Sequence, residues 1–236
     1  MVILQGGVML WQSLVRTILE YSCVIWGKEF WPEGEQVQAD MAKKILKCSG
    51  MSKREAVLGD LGWWTLQGRR NFIKLKYWFH IHTLDQSCLV KRVYLVSRSE
   101  AKPSSWAKTI HKLLVLYGLV RFWDNPDLLF NIDGKGNGGA NLVTQHKSFW
   151  KNYLFKIILQ HEEKMWWKRM NTKQDNNKLR TYMTFKKKLR MEKYLLAYSN
   201  SKGRTFHTSL RNGTNQLEIE RGRWKCIAKE QRYCNN

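Results

Sequence analysis

The sequence predicts a mainly α-helical fold, arranged as two packed groups of helices. Apolar residues recur along most of the 236-residue chain at the i, i+3 and i+4 spacing that gathers them on one face of a helix. Alternation with a period of two, typical of half-buried strands, is confined to residues 216–220, which form at most a short strand. A hydrophobic content of 43% is that of a chain able to bury a core, not of a disordered basic tail.

Four helical segments are predicted within the first hundred residues. Pro32 opens the second, because its fixed φ suits a first helical position, and Gly62 ends the third. The residues that mark the four segments are Trp11, Leu14, Val15, Ile18 and Ser22; Val37, Met41, Ile45 and Leu46; Ala56, Val57 and Leu58; and Phe72, Leu75 and Phe79 within residues 67–84.

Three more helices are predicted beyond a linker at residues 97–105. The first ends at Asn125-Pro126 and is followed by a glycine-rich loop at 133–139. The second starts near Phe149 and extends no farther than Met170. The third, very basic helix follows a polar gap at 171–177. The marker residues are Trp106, Ile110, Leu113, Leu114 and Tyr117; Tyr153, Leu154, Ile157 and Ile158; and Leu179, Tyr182, Phe185 and Leu189.

The charge is large and unevenly distributed. Lys and Arg number 41 against 19 Asp and Glu, a formal net charge of +22. Residues 151–236 carry 21 basic and 7 acidic residues, net +14. We therefore divide the chain into a helical domain at 1–100, a linker helix and glycine-rich loop at 101–145, and a basic helical C-terminal region at 146–236. A charge this far from zero indicates a polyanionic partner.

Cysteine usage and hydropathy restrict the compartment. Five cysteines at irregular spacing do not form a secreted disulfide framework, and Cys23, Cys48 and Cys88 lie among apolar residues, as buried thiols do. No apolar run is long enough to cross a membrane, and the first ten residues lack the basic region of a signal peptide. An intracellular location follows, with nucleus and cytoplasm not distinguished.

The motifs of catalytic and metal sites are incomplete. The glycine-rich loop is not a phosphate-binding P-loop, because Leu129 stands at the position of its first glycine. His161-Glu162 resembles the start of a zinc-protease motif, but Met165 replaces the second histidine. There is no Asp-Asp pair to hold two metals and no Gly-x-Ser-x-Gly nucleophile motif, although composition leaves a Ser/His/Asp triad open. We predict no catalytic centre, metal site or cofactor.

Basic and aromatic residues are interleaved in three segments. They are Trp63-Trp64 with Arg69 and Arg70; Lys164, Trp166, Trp167, Lys168 and Arg169; and Arg180, Lys186, Lys187, Lys188 and Arg190. Cations neutralise phosphates, and aromatic rings stack on unpaired bases. The alternative is that the tryptophans anchor a core beneath a solvated face, which we favour for Trp63 and Trp64. We favour phosphate contact for residues 186–190, where acids are absent; docking on an anionic membrane or on calmodulin is less favoured.

Several segments resemble the region that follows the polymerase palm in non-LTR (LINE-type) retrotransposon proteins. Residues 14–21 match a Leu-Val-Arg-Pro-Ile-Leu-Glu-Tyr pattern, with Thr17 in place of the proline, and Trp26 follows. The other matching segments are 39–48, 55–64, 69–70, 178–182, 185–186, 217–224 and 232–234. The segments follow the order and spacing of the family, and together they extend over nearly the whole chain.

This resemblance implies a thumb-like helical bundle followed by a basic helical region that handles nucleic acid. The palm, with its catalytic aspartates, would precede Met1. The family's zinc knuckle would begin at Cys234, so we expect a chain truncated before that knuckle and no bound zinc. The implied function is sequence-tolerant binding of RNA or DNA without polymerase or nuclease activity and without a small-molecule substrate. The alternatives are an incomplete gene model of an active RNA-directed DNA polymerase and an inert relic.

The full set of residues expected to contact nucleic acid combines the three clusters with two arginines of the last matching segment. They are Arg69, Arg70, Lys164, Trp166, Trp167, Lys168, Arg169, Arg180, Lys186, Lys187, Lys188, Arg190, Arg221 and Arg223. Within this set, Arg180 and residues 186–190 would form the phosphate-binding face, and Trp166 and Trp167 the stacking platforms.

Overall fold

The predicted helical class is confirmed. A computed structural model describes residues 2–27, 30–100, 105–129, 141–171, 179–197, 200–215, 217, 221–222 and 225–232. These residues are 74% helical and include no strand. None of their helices has the length and apolarity to cross a membrane. The glycine-rich loop at 133–139, most of the short strand predicted at 216–220, and Cys234 lie outside the described residues.

The helices have the following bounds in chain order. They are α1 (Val2–Leu10), α2 (Arg16–Glu20), α3 (Cys23–Trp26), α4 (Pro32–Leu46), α5 (Arg54–Leu61), α6 (Leu66–Thr83), α7 (Leu89–Ser99), α8 (Trp106–Leu116), α9 (Arg121–Asp124), α10 (Asn141–Met170), α11 (Arg180–Phe185), α12 (Tyr194–Ala197) and α13 (Ser201–Arg211). A π-helical turn, Trp11–Val15, joins α1 to α2, and short 3-10 helices lie at Pro126–Leu129 and Lys229–Gln231.

Several helix boundaries agree with the sequence signals, whereas α10 begins at Asn141, ahead of the start predicted near Phe149. Helix α4 begins at Pro32, α10 ends at Met170, and α5 stops before Gly62, whose φ of +66° is the left-handed conformation that ends many helices. Helices α1, α7 and α13 lie outside the segments predicted from the sequence, and the predicted linker at 97–105 overlaps the end of α7. Leu89, Val93 and Val96 of α7 do recur at helical spacing, but Tyr94 is the one α7 residue that is buried.

The chain forms two compact units, each assembled from distant segments. The first unit comprises Met1–Ile18, Pro32–Trp64 and Glu163–Asn236, and the second comprises Leu19–Trp31 and Thr65–Glu162. The sequential division at 100 and 145 does not coincide with these units, because residues near the start and near the end of the chain pack together in the first one.

The core of the first unit is built around tryptophan. Trp11 and Trp63 stack with ring centroids 5.4 Å apart, and Trp64 is also buried. The buried Gln38 side chain donates a hydrogen bond of 3.0 Å to the Trp64 carbonyl, which ties α4 to the segment after α5. The prediction that Trp63 and Trp64 are core anchors is confirmed.

The core of the second unit centres on α6. Its Trp78 indole donates to the Tyr94 hydroxyl at 2.9 Å, and Trp150 of α10 donates to the Leu75 carbonyl at 3.2 Å. Both indole N–H groups are hydrogen-bonded inside the core, as is usual for buried tryptophans. Cys23 is buried here as predicted, whereas Cys48 of the first unit and Cys88 of this one are only half-buried.

Candidate nucleic-acid interface

The prediction of a last, very basic helix that extends to Leu189 is wrong beyond the first two turns of that helix. Helix α11 ends at Phe185, and residues 186–193 form an irregular segment. Lys186 points inward with no exposed surface, and its ammonium donates to the Arg190 carbonyl and to Glu192 Oε1, each at 2.5 Å. Burial lowers the pKa of Lys186 and the Glu192 carboxylate acts in the opposite direction. Lys186 is therefore removed from the predicted phosphate-binding face.

The segment 186–193 is held in place by a buried carboxylate, Asp60 at the end of α5. The hydroxyls of Tyr182 and Tyr194 donate to its two oxygens at 2.9 and 2.7 Å, and Arg211 of α13 donates to Oδ1 at 3.1 Å. The main-chain carbonyl of Asp60 accepts from the Glu192 amide at 2.9 Å. One α5 residue thus binds three elements of the C-terminal part of the first unit.

The charges around Asp60 are balanced. Arg211 also lies 3.5 Å from Glu192 Oε2, so Asp60, Arg211, Glu192 and Lys186 form a chain of alternating sign. Burial and the Asp60 charge raise the pKa of Tyr182 and of Tyr194, so both remain hydrogen-bond donors at neutral pH. We interpret this Asp60 cluster as structural, because Asp60 and Tyr182 have no exposed surface that a substrate could reach.

Gly62 lets the irregular segment lie against α5. A Cβ at this position would lie 2.6 Å from the carbonyl carbon of Arg190, and the positive φ of Gly62 already disfavours any side chain. The segment that carries Arg190 therefore depends on a glycine.

We expect Gly62→Ala to destabilise the protein by about 1–3 kcal/mol, because it adds backbone strain and displaces Arg190. Denaturant unfolding measures this effect. Gly50→Ala is the matched control, since a Cβ there meets nothing within 4 Å. Equal stabilities of the two variants would show that the segment does not pack against Gly62.

Two side chains of α10 fix the outer part of the same segment. Glu163 Oε1 accepts from the Leu189 amide at 2.7 Å, and the Trp167 indole donates to the Lys187 carbonyl at 3.2 Å. The Lys187 ammonium lies 6.0 Å from the centre of the Trp167 ring. Because Glu163 and Trp167 are one helical turn apart, residues 187–189 run alongside the last turns of α10.

This packing collects five exposed cations on one surface of the first unit, which we call the basic patch. Its members are Lys164, Lys168, Lys187, Lys188 and Arg190. Lys164 and Lys168 share one face of α10, since they are four residues apart. Within the described residues, none of the five forms an ion pair. The surface therefore carries five cations, with the Glu163 carboxylate on the Leu189 amide among them.

The prediction of nucleic-acid contact is wrong for three residues, because their side chains are buried. Trp166 is 2% exposed and its indole donates to the Glu55 carbonyl at 2.8 Å, so it cannot stack on a base. Arg70, 1% exposed, lies in the second unit with its guanidinium 5.6 and 5.8 Å from the ring centres of Trp26 and Trp31. Lys186 is the third, for the reason given above.

The remaining predicted residues differ in accessibility. Arg69 forms an ion pair with Glu20 inside the second unit. Trp167 and Arg169 are half-buried, and Arg221 is exposed. The side chain of Arg180 and the whole of Arg223 lie outside the described residues. The site that remains from the predicted set is the basic patch with Trp167 at its edge.

The second unit contains a feature that the sequence did not reveal, an open cavity of about 540 Å³. The side chains of α3, α6 and α10 that line it are Val24, Ile73, Lys76, Tyr77, Phe79, His80, Lys147, Ser148, Trp150 and Lys151. Its signal in the sequence is two i, i+4 pairs of basic residue types, Lys76 with His80 and Lys147 with Lys151. Because about seventy residues separate the pairs, spacing alone could not bring them together.

Metal chemistry has no evident site in the described part of the chain, where no three His, Cys, Asp or Glu side chains could hold an ion together. Comparison with protein-family models, with curated proteins and with solved structures gives no match to this chain.

Proposed function

We propose that this protein binds RNA or DNA through the phosphate backbone, without sequence preference and without polymerase or nuclease activity of its own. We also propose that it derives from the C-terminal part of a non-LTR retrotransposon protein, as its sequence resemblance implies. The observation that carries the binding proposal is the basic patch. Five cations lie exposed on one surface, without carboxylate partners among the described residues, in a position fixed by the Glu163 and Trp167 hydrogen bonds.

The chemistry of the patch favours phosphates over neutral or apolar partners. Exposed cations repel one another, whereas their binding to a polyanion is favourable because it releases the polyanion's condensed counterions into solution. Trp167 offers one half-buried ring, which limits base stacking to a single position at most. Backbone contact of this kind is independent of sequence, since phosphates carry no base information.

We expect affinity for single-stranded RNA to fall by about 100-fold between about 50 and 200 mM salt, because five phosphate contacts give a log–log slope near −3.5. A fluorescence-anisotropy titration of the full chain at several salt concentrations measures this slope. Scrambling the RNA sequence is the control and should leave the affinity unchanged. A flat salt response, or the absence of binding at low salt, would contradict the proposed function.

A further inference from the structure

Every charged side chain that lines the second unit's cavity is basic. Lys76, Lys147 and Lys151 are exposed at its border, and in the described part of the chain none of them is paired with a carboxylate. His80 is close enough to Lys147 that this charge, after burial, lowers the pKa of the imidazole. The charges at the border of this cavity therefore favour a ligand that carries negative charge.

The rest of the lining is aromatic and apolar. Tyr77 and His80 are half-buried, with ring centroids 6.0 Å apart. The buried rings of Phe79 and Trp150 stack behind them, 5.8 Å apart, and Trp150 is anchored through its indole to the Leu75 carbonyl. Such rings offer a fixed surface for a flat, conjugated group. The volume of about 540 Å³ lies within the range of small-ligand sites, about 300–1,000 Å³.

We propose that this cavity binds one unpaired nucleotide, with its phosphate against Lys76, Lys147 and Lys151 and its base against Tyr77 and His80. A negative charge joined to a flat aromatic ring is the combination that this lining complements, and nucleotides supply both. The inference rests on the proposed function in that a bound single strand would supply the nucleotide. A free nucleoside monophosphate carries the same chemistry and is the other source.

Photo-cross-linking of the full chain tests this assignment. The probes are a short oligouridylate that contains one 5-iodouridine, and 5-iodouridine monophosphate alone. Ultraviolet light couples the iodinated base to an adjacent aromatic side chain, and peptide mass spectrometry identifies the residue. We expect the cross-link on Tyr77 or His80.

Charge reversal at the border of the cavity provides the variant. Lys147→Glu with Lys151→Glu should lower the cross-link yield at α6 by about tenfold or more, because two phosphate contacts become repulsive. The matched control, Lys112→Glu with Lys156→Glu, makes the same charge change at two exposed lysines of the second unit that do not line the cavity. Its yield should equal that of the wild type, and the thermal unfolding of both variants verifies that they fold.

The outcomes separate the two nucleotide sources and the two proposals. Cross-linking by both probes assigns the cavity to nucleotides from either source, and cross-linking by the oligonucleotide alone assigns it to strands. Suppose that the oligonucleotide binds with the expected salt slope but that neither probe cross-links to Tyr77 or His80. This result overturns the cavity inference and leaves the proposed function intact. If the oligonucleotide does not bind at all, the proposed function fails, and the monophosphate probe then decides the inference.

Discussion

Replacing Asp60 with alanine is expected to destabilise the first unit by about 3–5 kcal/mol, the cost of removing one partner from a buried ion pair. Arg211 would lose its 3.1 Å contact, and the Tyr182 and Tyr194 hydroxyls would lose their acceptors. Two buried cations, Arg211 and Lys186, would then share the single carboxylate of Glu192. Denaturant unfolding followed by tryptophan fluorescence measures the loss.

Two further variants test whether the loss of stability comes from the interactions of the Asp60 cluster. Asp40→Ala removes an exposed carboxylate of α4 and should change the stability by less than about 0.5 kcal/mol. Arg211→Met alone and combined with Asp60→Ala completes a double-mutant cycle, for which we expect a coupling of about 1–3 kcal/mol. If Asp60→Ala unfolds at the denaturant concentration of the wild type, the Asp60 cluster does not hold the C-terminal segments.

Reversing the outer charges of the basic patch is expected to reduce RNA affinity by about 100-fold at about 0.1 M salt. The variant combines Lys187→Glu, Lys188→Glu and Arg190→Glu. Loss of three phosphate contacts should also reduce the log–log salt slope by about 2. All three side chains are exposed, so the fold should tolerate the change. Anisotropy titrations across a salt series give both quantities.

The matched control makes an identical change of charge elsewhere. Arg92→Glu, Lys108→Glu and Lys112→Glu change exposed residues of the second unit that belong neither to the basic patch nor to the lining of the cavity. If affinity depends only on net charge, the two triple variants will lose it equally, and the basic patch is then not a site. An unchanged affinity in the 187–190 variant would favour an inert protein that inherited its charge.

The local order of the chain could be predicted where a helix has a continuous buried face. Apolar spacing and end signals predict α4, α6 and the part of α10 from Phe149 onward. In α4 the buried face differs from the predicted one, since Val37 is exposed whereas Gln38 and Ala39 are buried. For Trp63 and Trp64 the sequence left two alternatives, core or stacking platform, and burial confirms the core. Helix α7 is not among the predicted helices although Leu89, Val93 and Val96 recur at helical spacing, and most of its apolar residues are exposed.

The site could be predicted only in part, because the accessibility of a side chain depends on the tertiary structure around it and not on its residue type. Lys186 and Lys187 are neighbours of the same type in a run of cations, yet one is buried and the other exposed. Lys186 is inside because Glu192 and the Arg190 carbonyl offer acceptors next to the Asp60 cluster. Trp166 and Trp167 differ for a similar reason, since only Trp166 faces α5 and the Glu55 carbonyl.

The sequence by itself determined the helical class and the concentration of positive charge in the last third of the chain. These properties follow from composition and short-range spacing. The tertiary structure alone decided which cations remain in water and which aromatic rings are accessible. A buried charge persists only where a partner offsets its desolvation, and here the partners, such as Asp60 and Arg211, are 151 residues apart.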